Sequence, residues 1–223
     1  MTIALAREVA ARVAALDGVV AVALGGSAGR GLADDRSDLD LVDRVLDDCQ
    51  AGRTTSHYQP GHPHGFHSHM YAGFIHHNLV LRDPAGALAA RRARTTPYPA
   101  ALRRTIVRRF AWEAGFAVEN AAAPAARYHV SGCLFRSVAC LVQVLFALDG
   151  RWFLNEKGSV AEAATLPGAP PGFAAEVAAV LGGLGPDPAV LGAALARTGA
   201  LVADVRDRGG GLLTEPAEPP SPS

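Results

Sequence analysis

The spacing of the apolar residues changes partway along the chain, and this change constrains the fold more than any other feature. Up to about residue 83, apolar runs are short and are separated by glycine, proline and polar residues, as in strands and short helices. From Asp83 onward, apolar residues recur at helical spacing. We therefore predict an α+β half with a small mixed sheet, followed by an all-α helical bundle.

The break at Thr95-Thr96-Pro97 separates two predicted domains, residues 1–95 and 96–208, and a Pro- and Ser-rich tail, 209–223, is predicted to be disordered. The first half is predicted to contain helices, strands and one loop, in the order helix 3–16, strand 19–24, strand 39–42, helix 43–49, loop 52–65, strand 66–75 and strand 78–82. The helical spacing after Asp83 predicts helices at 84–94, 98–121, 125–149, 159–165, 172–184 and 187–207.

Composition narrows the class of function. Lys plus Arg and Asp plus Glu balance at 21 each, so the net charge is zero and a nucleic-acid partner is not expected. The three cysteines lack C-x-x-C spacing, which indicates reduced thiols in a cytoplasmic protein. Residues 130–148 are apolar, but Arg136 and Gln143 interrupt them, so we predict a buried core helix and no membrane partner.

Two carboxylates one residue apart carry the strongest chemical signal. Ser37-Asp38-Leu39-Asp40-Leu41 is predicted to be a strand, on which Asp38 and Asp40 share one face. Two carboxylates at this short distance repel each other unless a cation lies between them. Mg²⁺ and Mn²⁺ prefer oxygen ligands of this kind. Upstream, Gly25-Gly26-Ser27 follows an apolar strand and offers backbone N–H groups and a hydroxyl suited to phosphate. Metal and phosphate together indicate nucleotide chemistry.

With these motifs in place, the first half resembles the polymerase β-like nucleotidyltransferase superfamily. The matching segments are Gly25-Gly26-Ser27, Arg30-Gly31 and Ser37-Asp38-Leu39-Asp40-Leu41, in that order. Residues 80–86 resemble the segment that often closes this domain. The helical half looks like the domain attached to kanamycin-type and other small-molecule nucleotidyltransferases, and residues 154–158 resemble a loop that places a lysine, here Lys157, near the nucleotide.

The resemblance implies a mechanism for the transfer of a nucleoside monophosphate. Asp38 and Asp40 would be the catalytic metal ligands and would hold Mg²⁺ against the phosphates of a nucleoside triphosphate, with ATP expected. Ser27 and the Gly25-Gly26 backbone would contact the phosphates, Arg30 would steady them and Lys157 would contact the nucleotide. A substrate hydroxyl would then attack the α-phosphate, and pyrophosphate would leave.

The sequence departs from the superfamily pattern at the third carboxylate. Relatives usually supply it from a strand well after the D-x-D pair, but here Leu41 is followed almost at once by helical spacing. Asp43 would face away from the pair on a continued strand, and Asp47 or Asp48 would have to reach in from the helix. The predicted activity therefore lacks an assigned base and a third metal ligand.

Histidines, arginines and aromatic residues leave further alternatives open. Six of the eight histidines lie between His62 and His77, and His67 and His69 are predicted to share a strand face. A zinc site, a substrate contact, a surrogate base and plain packing are all compatible with this cluster. The basic runs at 91–94, 103–104 and 108–109 either bind phosphate or RNA or form solvated helix faces, which the neutral net charge favours. Phe110, Trp112 and Phe116 are predicted to be core, and Cys133 and Cys140 to be buried and inert.

The sequence thus predicts a magnesium-dependent nucleotidyltransferase that modifies a hydroxyl of a small molecule or of a protein. The alternative is a degraded relative that binds a nucleotide or a partner protein without turnover, as antitoxin-like proteins do. A nucleic-acid polymerase is a weaker third alternative, because no basic stripe with interleaved aromatic residues supports it. A homo-oligomer is compatible with either leading alternative.

Overall fold

The computed structural model describes residues 3–24, 37–59, 62–121 and 127–214, apart from the side chains of residues 3, 37–40 and 59. The chain divides into two compact units, one of Met1–Leu102 with Trp152–Asn155 and the other of Arg103–Arg151 with Glu156–Ser223. All the described strands belong to the first unit, and the described elements of the second unit are helices. The predicted mixture of a small α/β part and a helical part is confirmed at this level.

The first unit combines short helices with two small antiparallel sheets. Strand β1 pairs with β4, and β2 pairs with β3, so each sheet has two described strands. The predicted helix at 3–16 and the predicted strands at 19–24 and 78–82 are confirmed as α1, β1 and β4. In chain order the elements are α1 (Ile3–Val13), β1 (Val22–Leu24), α2 (Ser37–Gln50), β2 (Ser56–Gln59), β3 (His62–His67), α3 (His69–His77), β4 (Leu79–Arg82) and α4 (Ala87–Ala93).

The prediction of a strand at residues 39–42 is wrong, because helix α2 already begins at Ser37. The short alternation of Asp38, Leu39 and Asp40 suggested a strand. However, the buried residues Val45, Leu46 and Cys49 continue a helical repeat that includes Leu39 and Val42. Carboxylates in the first turn also favour a helix, because they complement its positive N-terminal dipole.

The predicted loop at 52–65 and strand at 66–75 are also wrong. The chain forms the β2–β3 hairpin and then α3, with Ser56 opposite His67 and His57 opposite Phe66. Glycine, proline and polar residues suggested a loop, but the end of β3 is buried and hydrogen-bonded to β2. Beyond Ser68, the buried residues His69, Met70, Ala72 and Gly73 have helical spacing, which a short window of aromatic and polar residues hides.

The second unit is a helical bundle whose central helix is α6. Leu134, Leu141 and Leu145 of this helix are fully buried, and α6 contacts α7, α8 and α9. The N-terminus of α9 is capped by Asp187, whose side chain accepts a hydrogen bond from Ala189 N, as the spacing of Asp187-Pro188 favours. The predicted helices are confirmed, within a few residues, as α5 (Ala100–Asn120), α6 (Arg127–Leu148), α7 (Ser159–Ala163), α8 (Phe173–Gly182) and α9 (Pro188–Gly209), followed by α10 (Gly211–Thr214).

Two of these helices, α6 and α9, are long and apolar enough to cross a membrane by length and composition alone. In α6, 67% of the most apolar window is buried inside the chain, and in α9 33% is buried. The core helix of a soluble protein passes the same test, so the two helices are weak evidence for a membrane span. The burial of Gln143 within α6 accords with the prediction of a core helix.

Candidate functional site

The predicted phosphate turn directly follows a strand of the small sheet. Strand β1 ends at Leu24, where it lies opposite Leu79 of β4, and α1 contacts both strands. The next residue along the chain is the first of Gly25-Gly26-Ser27. These three residues and Arg30 lie outside the described residues, so their predicted contacts with phosphate stay predictions.

The predicted metal ligands Asp38 and Asp40 lie in the first turn of α2, where only their backbone is described. On a helix, two positions separated by two residues are about 200° apart around the axis. The argument that a strand places both carboxylates on one face therefore does not apply to them. In the part of the chain that the structure describes, no group of three or more His, Cys, Asp or Glu side chains could hold a metal ion.

The carboxylates that follow on α2 are held by arginines. Asp43 accepts hydrogen bonds from Arg91 Nη2 at 2.5 Å and from Arg94 Nη1 at 2.7 Å. Asp47 Oδ1 lies 2.5 Å from Arg94 Nη2, and Asp48 Oδ1 lies 2.6 Å from Arg53 Nη2. The three candidates for a third carboxylate are thus each neutralised by a guanidinium. Within the basic run 91–94, Arg91 and Arg94 pair with α2, so neither forms the purely solvated face that the sequence favoured.

Three histidines of the predicted cluster form a buried stack within the first unit. His64, His67 and His69 are 5%, 1% and 1% exposed. The His67 and His69 rings are nearly parallel with centroids 5.7 Å apart, and the His64 ring lies 6.1 Å from that of His67. The strand face predicted for His67 and His69 is wrong, because His67 ends β3 and His69 begins α3. The turn at Ser68 nevertheless brings their rings together.

Hydroxyl groups fix two rings of this histidine stack. His67 Nδ1 lies 2.7 Å from Ser56 Oγ, and His69 Nδ1 lies 2.9 Å from Thr54 Oγ1. The Nδ1 atoms of His67 and His69 are therefore already in contact with hydroxyl groups. Zinc takes four ligands in its structural sites, and in the described residues no group of three or more His, Cys, Asp or Glu side chains could hold a metal ion. The geometry therefore favours packing over zinc binding for the histidine stack.

Lys157 lies in the turn before α7, in the second unit, and is exposed. The turn closes at Gly158, whose positive φ of 74° suits glycine, because a Cβ would be strained there. The sequence therefore places Lys157 on a fixed turn directly before a helix. The predicted contact between Lys157 and a nucleotide stays a prediction.

A groove between α5 and α6 is the site that the sequence analysis missed. Its volume is about 660 Å³, and Phe116, Tyr128 and Phe135 line it. Phe110 is buried as predicted, but Trp112 is 59% and Phe116 49% exposed, so their assignment to the core is wrong. The signal was present in the sequence, because the buried stripe of α5 runs through Phe110, Ala114 and Ala117, and Trp112 and Phe116 do not belong to it.

The three cysteines differ in accessibility. Burial, with a smaller contribution from Asp48, raises the pKa of Cys49 to about 12, and burial also raises the pKa of Cys140 to about 12. Cys133 is partly exposed in the groove, where its Sγ lies 3.5 Å from His129 Nε2, so its predicted burial is wrong. Partial desolvation raises the pKa of Cys133 as well. Cys133 is thus the most accessible of the three thiols.

Iodoacetamide is expected to alkylate one thiol per native molecule, Cys133, and all three thiols in denaturant. The thiolate is the reactive form, so the native rate should rise as the pH approaches the raised pKa of Cys133. Intact-mass spectrometry of samples quenched between pH 7 and pH 9.5 counts the modified thiols. The Cys133→Ser variant should show no native labelling, and a second thiol that reacts at the same rate in the native wild type would contradict the assignment.

Comparison of the chain with models of known protein families, with curated proteins and with solved structures found no match. The resemblance to nucleotidyltransferases therefore rests on the motifs of residues 25–41.

Proposed function

We propose that the chain is a magnesium-dependent nucleotidyltransferase of the cytoplasm that transfers a nucleoside monophosphate from ATP to a hydroxyl group. The observation that supports this proposal is the position of β1, a strand paired in an antiparallel sheet, directly before Gly25-Gly26-Ser27. A glycine-rich segment directly after a strand is the usual arrangement in which backbone N–H groups bind phosphate. The second supporting feature is the order of the motifs, with Asp38 and Asp40 a short distance downstream.

In this proposal each predicted residue has one task. Ser27 and the Gly25-Gly26 backbone bind the phosphates, and Arg30 offers a planar guanidinium to the triphosphate. Asp38 and Asp40 would hold Mg²⁺, which would neutralise charge on the phosphates and on the leaving pyrophosphate. Because positions 38 and 40 lie about 200° apart on α2, binding of one ion by both requires the first turn of α2 to unwind. The ion pairs of Asp43 with Arg91 and Arg94 connect α2 to α4 and its C-cap, and they would keep α2 in place after its first turn.

A second candidate function is nucleotide binding without turnover. It is favoured by the ion pairs of Asp43, Asp47 and Asp48, because a carboxylate that is paired with a guanidinium is less available to bind a metal ion or to accept a proton from a substrate. In this case the chain would sense a nucleotide or regulate a partner protein. The two candidates share the site at residues 25–40 and differ in whether pyrophosphate is released.

The deciding experiment is a calorimetric titration of ATP, and then GTP, with and without Mg²⁺. Wild type should bind ATP in a Mg²⁺-dependent manner, and Asp38→Asn/Asp40→Asn should weaken binding by about 100-fold or more, since it removes both ligands of the metal. The matched control is Asp34→Asn/Asp35→Asn, which makes the same change in charge a few residues upstream in the sequence and should bind as wild type does.

A parallel assay for pyrophosphate release, with hydroxyl acceptors such as aminoglycosides and serine- or tyrosine-containing peptides, separates the two candidates. Release that depends on Asp38 and Asp40 supports the transferase. Binding without release favours the non-catalytic alternative. Equal binding by wild type and Asp38→Asn/Asp40→Asn, or no binding at all, would overturn both.

A further inference from the structure

The groove between α5 and α6 lies entirely within the second unit and has the dimensions of a small-molecule site. Residues 113, 116, 117 and 120 form one face of α5, and the first half of α6 supplies the opposite wall. Its volume of about 660 Å³ falls in the range of about 300–1,000 Å³ that small-molecule pockets occupy.

Aromatic rings form the walls of the groove. Phe116 stacks on Trp112 with ring centroids 5.1 Å apart and an interplanar angle of 17°. Although Trp112 covers part of it, Phe116 remains 49% exposed, and Tyr128 is 96% and Phe135 37% exposed. Clustered aromatic surface of this kind gains free energy when another ring covers it, through burial and through offset stacking.

Gly132 leaves one position in the α6 wall of the groove without a side chain. A Cβ built on this glycine would meet nothing within 4 Å, although Gly132 lies inside helix α6. The absence of a side chain there lets a flat molecule approach the helix backbone. Glycine lowers the stability of a helix by about 1 kcal/mol relative to alanine. The open space at Gly132 is therefore accompanied by a less stable helix.

The carboxylate of Glu113 lies in the lining of the groove. Glu113 Oε1 accepts from Arg136 Nε at 2.7 Å and lies 2.5 Å from Arg136 Nη2, which fixes the carboxylate at the groove wall. Among the described residues, no hydrogen bond to Glu113 Oε2 is found, and the side chain is 25% exposed. This oxygen can accept a hydrogen bond from a bound molecule. The ion pair is neutral overall, so the groove does not select a strongly charged ligand.

We infer that this groove binds a planar aromatic small molecule that carries an N–H or O–H donor. The ring lies against Phe116 and over Gly132, and the donor reaches Glu113 Oε2. The inference goes beyond the proposed nucleotidyl transfer and does not rest on it, because every residue involved belongs to the second unit.

Indole is a suitable probe, because it has one flat ring system and one N–H donor. We expect saturable binding to the full chain by calorimetry, with a Kd of about 1 mM, which is typical for a ligand of this size. Bound indole should also slow the alkylation of Cys133, which lines the groove. 1-Methylindole lacks the donor, so it should bind at least about 3-fold more weakly than indole.

Two matched glycine variants localise the binding. Gly132→Trp fills the groove and should weaken indole binding at least about 10-fold. Gly182→Trp is the control, since Gly182 is also a helical glycine with nothing within 4 Å of its Cβ position, and it lies outside the groove. Circular dichroism checks that both variants fold. No saturable binding of indole to wild type, unchanged binding by Gly132→Trp, or equal binding of 1-methylindole would overturn the inference.

Discussion

Replacing Gly73 by alanine is expected to destabilise the first unit by about 2–3 kcal/mol, as overpacking of a tight core does. A Cβ on Gly73 would lie 2.8 Å from the carbonyl oxygen of Phe153 and 3.2 Å from Leu154 Cδ2. The oxygen belongs to the backbone, so it cannot swing aside as a flexible side chain could. At a helical glycine with free space around its Cβ position, the same substitution would raise the free energy of unfolding by about 1 kcal/mol. The sign of the change in stability therefore tests the steric contact.

Urea denaturation followed by the fluorescence of Trp152 measures this effect, because Trp152 is buried in the first unit and its Cβ lies 3.4 Å from the Cβ position of Gly73. The background variant Trp112→Phe removes the other tryptophan. Gly132→Ala is the matched control, with open space at its Cβ position, and should stabilise the second unit by about 0.5–1 kcal/mol as judged by circular dichroism. An unchanged midpoint in Gly73→Ala would show that the segment Trp152–Asn155 does not pack on α3 as described.

The sequence was sufficient to predict the long helices of the second unit. Helices such as α6 and α9 span many turns, so the apolar stripe repeats often enough to identify the period. The cap at Asp187-Pro188 marks where α9 begins. Strands β1 and β4 were also predictable, since each is a short apolar run beside glycine or proline.

Short segments were not predictable, because a few residues fit two periods equally well. Residues 37–42 alternate as a strand does, and only the continuation through Val45, Leu46 and Cys49 shows the helix. At 56–77, the hairpin and α3 depend on tertiary contacts, including the hydrogen bonds of His67 to Ser56 and of His69 to Thr54. Local propensity does not contain such contacts.

The candidate site was predicted only in part, for a related reason. The motifs at 25–41 identify candidate residues by their type and spacing. The ion pairs of Asp43, Asp47 and Asp48 depend instead on arginines that are distant in sequence or fold back onto α2. Likewise, the groove depends on which face of α5 is left uncovered. Trp112 and Phe116 are apolar by type, and their separation from the buried stripe is the only sequence signal that they are exposed.

Replacing His67 by alanine is expected to destabilise the first unit by about 2–3 kcal/mol, as truncation of a large buried side chain does. The ring of His67 is buried between those of His64 and His69, so its removal leaves a cavity and ends both stacking contacts. It also removes the hydrogen bond between His67 Nδ1 and Ser56 Oγ, worth about 1 kcal/mol. If the histidine stack is structural, these losses do not depend on any metal.

The fluorescence of Trp152 during urea denaturation at pH 8, where exposed histidines are neutral, measures the loss. His57→Ala is the matched control, since His57 lies on the same hairpin and is exposed, and it should change stability by less than about 0.5 kcal/mol. Each variant is measured in EDTA and in 50 μM zinc. A structural stack predicts the same midpoint for wild type in both solutions. A midpoint that zinc raises in wild type, but not in His67→Ala, would show instead that the histidine stack binds the ion.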